Sequence, residues 1–151
     1  MFIFTSSCEN LNEAGDDGGA EALENATRQK LSAKINGEDF SCMSYDIACK
    51  YEEGKYQIMG HGEGSTSLQL DIYGDSVGTY IIESKAQKTG AGYGSSDGAL
   101  YWKVIGEPGE IEVTELTDST MAGTFHAILC TDDSTSTVNI TNGIFDCIIR
   151  Q

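Results

Sequence analysis

From Ser32 onward, apolar and polar residues alternate with a period of two, broken every several residues by glycine or by Asp/Ser clusters. That is the pattern of an antiparallel all-β domain. Between Thr66 and Tyr73, Leu68, Leu70 and Ile72 fall on one face of an extended chain and Ser67, Gln69 and Asp71 on the other, which predicts a strand with one wet face. Further strands are expected at 33–35, 55–60, 78–83, 99–105, 110–116, 121–130 and 137–149. Gly74-Asp75, Ser95 to Gly98, Glu107 to Gly109 and Asp132 to Thr135 supply the turns. About eight to ten strands joined by short turns predict a single β-sandwich or flattened barrel with mostly local antiparallel pairing. Periodicity does not choose between the two.

Residues 1–31 have a different character from the β domain at 32–151. Ala20 to Leu31 has helix-forming composition with a thin apolar stripe at Leu23, Ala26 and Leu31, enough for one or two turns. Glu9 to Gly19 is rich in Asp, Glu, Asn and Gly, too poor in apolar residues to pack, and is expected to be a flexible tether. Ahead of it, Phe2 to Cys8 places a cysteine directly after a short apolar run and small hydroxyl residues. A bacterial lipoprotein signal ends in such a box, and its cysteine is lipidated and becomes the new N-terminus. Thr5 stands where that box usually carries an aliphatic residue, and Met1 to Phe4 is shorter than an apolar signal core of roughly 7–15 residues. The expectation is the end of an export signal that starts upstream, lipidation at Cys8, and a tether. The alternative is an ordinary N-terminus with an incidental thiol at Cys8.

Charge narrows the partners. The 151 residues carry 9 Lys+Arg against 24 Asp+Glu, a formal net charge of −15, which repels phosphate backbones and anionic headgroups. Nucleic acid is not an expected partner. The longest apolar runs are of strand length, well short of the ~20 residues of a spanning helix, so membrane contact is expected through the lipid anchor only.

Ala33 to Phe40 ("AKINGEDF"), Gly78-Thr79-Tyr80, Ile111 to Thr114, Gly123-Thr124-Phe125 and Val138 to Phe145 ("VNITNGIF") follow one another in a suggestive order. Over about residues 32–149 the chain resembles the small all-β lipoproteins of Bacteroidetes-type bacteria, grouped as a family of unknown function. The resemblance implies an exported, lipid-anchored cell-envelope protein, of the outer membrane and facing either the periplasm or the surface. It carries no catalytic residues over to this chain. Gly37 and Gly143 stand where a turn would use positive φ, and Phe40, Tyr80, Phe125 and Phe145 would supply large core or edge contacts. Envelope proteins of such bacteria are commonly O-glycosylated at Asp-Ser/Thr followed by an aliphatic residue or threonine. Asp75-Ser76-Val77, Asp118-Ser119-Thr120 and Asp133-Ser134-Thr135 match, which makes Ser76, Ser119 and Ser134 candidate acceptors in turns.

Five cysteines are odd in number, but setting Cys8 aside leaves Cys42, Cys49, Cys130 and Cys147, enough for two disulfides in an oxidising envelope. If Thr131 to Ser136 joins two long strands as a hairpin, Cys130 lies beside the turn and Cys147 about ten residues away. At ~3.4 Å per residue that is roughly 30 Å, against ~7 Å for bridged Cα atoms. Bridges between the Cys42–Cys49 segment and the C-terminal hairpin remain, with four reduced core thiols as the alternative.

Candidate chemistry is sparse. His126 and Cys130 would lie ~13 Å apart on a strand, and no ligand-spaced residue accompanies His61, so neither metal nor cofactor is expected. Asp132-Asp133 and Asp16-Asp17 offer hard oxygen ligands but match no calcium loop. Gly90 to Gly94 ("GAGYG") lacks dinucleotide-loop spacing and is expected to be a mobile loop. Tyr93, Tyr101 and Trp102 flank it and form the candidate ligand surface, because exposed aromatic rings stack on sugars and peptides. Two functions are compatible with these residues: a non-catalytic binding or structural module with a glycan or protein ligand, or a small envelope hydrolase using paired carboxylates.

Overall fold

The computed structural model describes residues 28–151. Cys8, the tether at 9–19 and most of the expected helical segment lie outside the described residues; Leu31, at the end of that segment, belongs to a strand. The described residues are all-β, a single open mixed sheet of twelve strands. In chain order these are β1 (Lys30–Ile35), β2 (Glu38–Ser41), β3 (Ile47–Glu52), β4 (Lys55–His61), β5 (Ser67–Ile72), β6 (Gly78–Ile81), β7 (Gly90–Gly94), β8 (Leu100–Tyr101), β9 (Lys103–Val104), β10 (Glu110–Leu116), β11 (Thr120–Cys130) and β12 (Thr137–Arg150). The ladder runs β6-β10-β11-β12-β3-β4-β5-β7-β8, with β1 and β2 branching from β12 and β9 from β11.

Two of the tightest connections follow from local backbone chemistry. Asn36 and Gly37 take φ of 53° and 85° between the paired residues Ile35 and Glu38, and Glu53 and Gly54 take 55° and 82° between Glu52 and Lys55. Two consecutive left-handed residues make a hairpin turn whose twist matches the strands, so Asn-Gly and Glu-Gly fix these registers. Gly143 is constrained differently from the positive-φ expectation. A Cβ there would meet Phe125 at 2.5 Å, so a close approach of strands, and not backbone dihedral, demands glycine.

β12 organises the rest. It runs antiparallel to β11 along one edge, from Thr137 opposite Cys130 to Ile148 opposite Thr120. Its other edge pairs with β1 between Ile140 and Asp146, then turns to β3 through Ile149↔Cys49 and Arg150↔Lys50. The β12–β3 pair is parallel, which makes the sheet mixed where the sequence suggests an antiparallel domain. Pairing direction leaves no trace in a period-two pattern, because inward and outward faces alternate either way.

The inner faces of both halves of the sheet meet in one core. Leu31, Ile47, Cys49, Ile58, Leu68, Leu70, Ile111, Phe145 and Cys147 are all fully or almost fully buried within it. Phe125 and Phe145 pack at 6.4 Å between ring centroids. At the far side the chain turns a corner between the halves: Leu100 and Tyr101 pair with β7, Lys103 and Val104 pair with β11, and Trp102 between them donates its backbone N–H to the Cys130 carbonyl at 3.2 Å. A strand that switches partners in this way closes a corner of the fold.

Two further expectations change. Gly90–Gly94 is strand β7, paired with β5 from Asp71↔Gly90 to Ser67↔Gly94, and not a mobile loop. β2 and β3 add strands where the sequence predicts none.

Phe145 is fully buried at the centre of β12, so Phe145→Ala should destabilise the chain by about 3–5 kcal/mol. Urea unfolding should show the lower midpoint with an unchanged slope, whereas Ile144→Ala on the exposed face should move stability by no more than about 0.5 kcal/mol.

Candidate functional site

The outer face of β5 presents Ser67, Gln69 and Asp71, because the inner positions are taken by Leu68, Leu70 and Ile72. Directly across, on β7, stand Gly94, Gly92 and Gly90. Three consecutive outward positions of β7 therefore carry no side chain, and the sheet is left with a bare trough. At Gly92 the backbone does not demand glycine: φ is not in the left-handed region, and a Cβ would find nothing nearer than the Tyr101 carbonyl at 3.8 Å. Gly90 likewise would meet only two carbonyls, at 3.7 and 3.8 Å. Gly94 alone is crowded, by the Ser67 hydroxyl at 2.6 Å. Interior strand glycine costs stability and marks bulges, bends or places where another group comes close to the backbone.

Walls rise on the two sides of this floor. One is the β6–β7 connection, Glu83 to Lys88; the other is the corner at Leu100 to Trp102. The two walls are tied together, since the Val104 N–H donates to the Ser84 hydroxyl at 2.5 Å. The enclosed groove has a volume of about 440 Å³. Leu100 and Trp102 are 67% and 44% exposed, which places a large indole and an aliphatic group at its rim.

The polar side of the groove is held by a fixed network. Asp71 accepts hydrogen bonds from Gln57 and Gln69, each at 3.2 Å, and from the Lys55 ammonium at 3.3 Å. Lys55 also lies 5.8 Å from the centre of the Tyr73 ring. Asp71 therefore acts as an anchor that orients Gln69 beside Gly92. Lys55 and Gln57 are alternate residues of β4 and Gln69 and Asp71 of β5, with Gln57 directly opposite Asp71.

The structure divides the three aromatic residues of the predicted ligand surface. Tyr93 pairs with Leu68 on the inner face, and its ring lies 6.1 Å from Phe40 and 6.0 Å from Tyr101. Tyr101 is 8% exposed and its hydroxyl lies 2.9 Å from that of Ser136. Burial, followed by the neighbouring Tyr101, pushes the Tyr93 phenol above its ordinary value. Tyr93 and Tyr101 thus brace the groove from beneath, and Trp102 faces outward.

The remaining sequence candidates fall elsewhere. Ser76, Ser119 and Ser134 are exposed and lie between strands. Ser76 sits in a bend closed by the Tyr80 hydroxyl, which donates to the Ser76 carbonyl at 2.6 Å. Asp133 accepts from Thr131 and Thr135, and these hydrogen bonds hold its carboxyl down at about 2, so the acidic turn satisfies itself internally. Among the described residues no three His, Cys, Asp or Glu converge as for a metal ion, and no helix is long and apolar enough to cross a membrane. Cys42, Cys49, Cys130 and Cys147 are free thiols, so the two expected bridges are not present. Cys42 is half-buried, and burial followed by the Asp46 charge pushes its thiol up to about 11. Sequence reasoning missed the groove because a glycine run without hydrophobic alternation carries no strand signal, although Ser67, Gln69 and Asp71 on the wet face of β5 marked the adjoining wall.

A second hollow, about 810 Å³, lies over β11 and β12 beside Pro108. It is larger, but its exposed apolar groups are Ile128 and Ile144, and no exposed aromatic ring borders it. The β7 groove combines a bare floor, an aromatic rim and an oriented polar wall, the features of a ligand site.

Comparison with known proteins returns one family. Residues 27–148 match the family described as "Domain of unknown function (DUF6252)". No curated protein and no solved structure matches.

Proposed function

The chain belongs to the DUF6252 family, and we propose that this member is a non-catalytic module that binds an extended saccharide chain in the β7 groove. The observation that carries the reading is Gly92, a strand glycine that neither φ nor crowding requires, lying at the floor of a groove rimmed by Trp102. A sugar ring has an apolar face that stacks on indole and an equatorial rim of hydroxyls that needs donors and acceptors. Trp102 offers the first, while Ser67, Gln69 and the lysines at 85 and 88 offer the second. The bare floor lets a ring lie close to the backbone. The hydrolase reading draws no support from the groove, where Asp71 is held by Lys55, Gln57 and Gln69 and Glu83 faces Lys85 at 3.6 Å.

Affinity electrophoresis through gels containing soluble polysaccharides tests the site. Retardation by at least one polysaccharide is expected, with Trp102→Ala and Gly92→Leu each weakening it by about tenfold or more. Gly92→Leu fills the floor while improving strand propensity, so a loss of binding would not come from unfolding. Unretarded wild-type protein across a broad panel, or variants retarded like wild type, would contradict the proposal.

We further propose that the module is displayed on the cell envelope through a lipid on Cys8, supported by the Thr5-Ser6-Ser7-Cys8 box and the acidic, glycine-rich run after it. Intact mass of protein isolated from its native host should exceed the bare chain by an acyl modification that Cys8→Ala abolishes. Any additional mass lost on changing Ser76, Ser119 and Ser134 to Ala would be the O-glycan; a mass equal to the unmodified chain would defeat both assignments.

A further inference from the structure

We infer that the saccharide taken by the β7 groove is acidic, a chain of uronate type whose carboxylates pair with Lys88 and Lys85. The inference rests on the groove being a saccharide site and adds the class of sugar. Its basis is the distribution of charge. The chain carries 9 Lys+Arg against 24 Asp+Glu, so cations beside a hollow are scarce. The charged side chains lining the groove are Asp71, Glu83, Lys85 and Lys88. Lys55 reaches Asp71 at 3.3 Å and neutralises it, and Lys85 lies 3.6 Å from Glu83. Lys88 has no carboxylate within ion-pair distance among the described residues. The groove is therefore locally positive in a chain of net charge −15.

Neighbouring hollows have the opposite balance. The one that shares Trp102 with the groove is bordered by Asp97, Asp132 and Asp133 and by no lysine or arginine. The one beside β2 is bordered by Glu38, Asp39 and Glu63, again with no cation in its lining. A carboxylate is repelled from both, whereas in the β7 groove it meets two ammonium groups. Exposed charges more than about 8 Å away are largely screened at physiological ionic strength, so the lysines of the groove outweigh the net charge of the chain.

The lysines stand on a wall fastened at its base. The Glu83 N–H donates to the Thr89 carbonyl at 2.7 Å and closes residues 83–89 into a loop. Thr89 is buried, and its hydroxyl accepts the Tyr73 N–H at 3.1 Å. Ser84 is held by the Val104 N–H. Between the two lysines Gln87 takes φ of 60°, a left-handed conformation costly for a residue with a side chain. Such strain persists only where the surroundings impose it, and it recurs at ligand clamps. The ammonium groups are thus carried on a loop of defined shape, across the groove from Trp102. A uronate carboxylate projects from the edge of its ring, so a ring laid on the indole can direct it to the lysine wall.

Affinity electrophoresis in matched gels tests the class of sugar. Polygalacturonate, alginate and hyaluronan are each compared with their carboxyl-reduced forms, which keep the backbone and lose the charge, at about 0.15 M salt. Mobility is referred to a polysaccharide-free gel. At least one acidic form should bind about threefold or more tightly than its reduced form. Lys88→Gln should remove most of that preference, Lys85→Gln/Lys88→Gln should abolish it, and Lys88→Arg should keep it. Lys50→Gln, which removes the same charge from β3, should leave it intact. Reduced forms bound as tightly as acidic ones, a preference that survives loss of both lysines, or one lost equally in Lys50→Gln would overturn the inference. Retardation by neutral polysaccharides alone would overturn it too, while leaving the groove a saccharide site. Retardation by no polysaccharide would remove the site and the inference together.

Discussion

Every other part of the fold leans on the double pairing of β12. A strand of fourteen residues spans roughly 45 Å, and here it is hydrogen-bonded to β11 along one edge and to β1 and then β3 along the other. Val138, Ile140, Phe145, Cys147 and Ile149 line its inner face and are all buried. Removing this strand would strip β11 and β1 of a partner and detach the β3–β4–β5–β7 half from the other. So long an element crowds its neighbours, and small residues relieve the crowding: a Cβ at Gly123 would strike the Glu112 carbonyl at 2.0 Å, and one at Gly143 would strike Phe125. Both ladders shift register at the same level, opposite Ser32–Lys34 of β1 and Phe125–Ala127 of β11, because β12 carries one extra residue there, where Asn142 takes φ of 51°. Arg28 adds an electrostatic tie there, pairing with Asp146 at 3.3 Å and with Glu115 of β10. Burial holds the Asp146 carboxyl above its ordinary range, and the Arg28 charge opposes that shift.

Because the core is filled from the inner faces, the outer face of the second half is free of packing duty. β7 can then carry glycine at three successive outward positions although each weakens a strand, since its inner residues Ala91 and Tyr93 pack beneath and β5 and β8 flank it. The corner at Trp102 serves both ends: it carries the chain from β7 to β11 and leaves its indole at the rim of the trough. The packed core and the proposed binding surface thus sit on opposite faces of the same strands.

What the sequence made legible was whatever depends on neighbours along the chain. β5 follows from strict alternation, β10, β11 and β12 from long apolar-polar periods, and the positive φ at Gly37 from a glycine placed in a turn, although the strand β2 behind that turn was not legible. The misses depend on neighbours in space. β7 is a strand because β5 supplies its partner, not because its own residues favour extension. β3 reads Ile-Ala-Cys-Lys-Tyr-Glu, a weak alternation that only its ladder with β4 makes definite. The three clustered aromatics were visible, but their division into two inward rings and one outward ring follows from the corner at 100–104. Hairpin register alone separates Cys130 from Cys147.

Native-state hydrogen exchange under mild denaturant tests the role of β12 most directly. Amides of β12 between Ile140 and Ile148, with those of β11 facing them, should exchange only through global unfolding, while the edge strands β6 and β8 exchange through local opening. The β4 and β5 amides should open no later than those of β12. If β4 and β5 stay protected while β12 exchanges at the rate of the edges, the two halves stand without it and the account of β12 as the shared support is wrong.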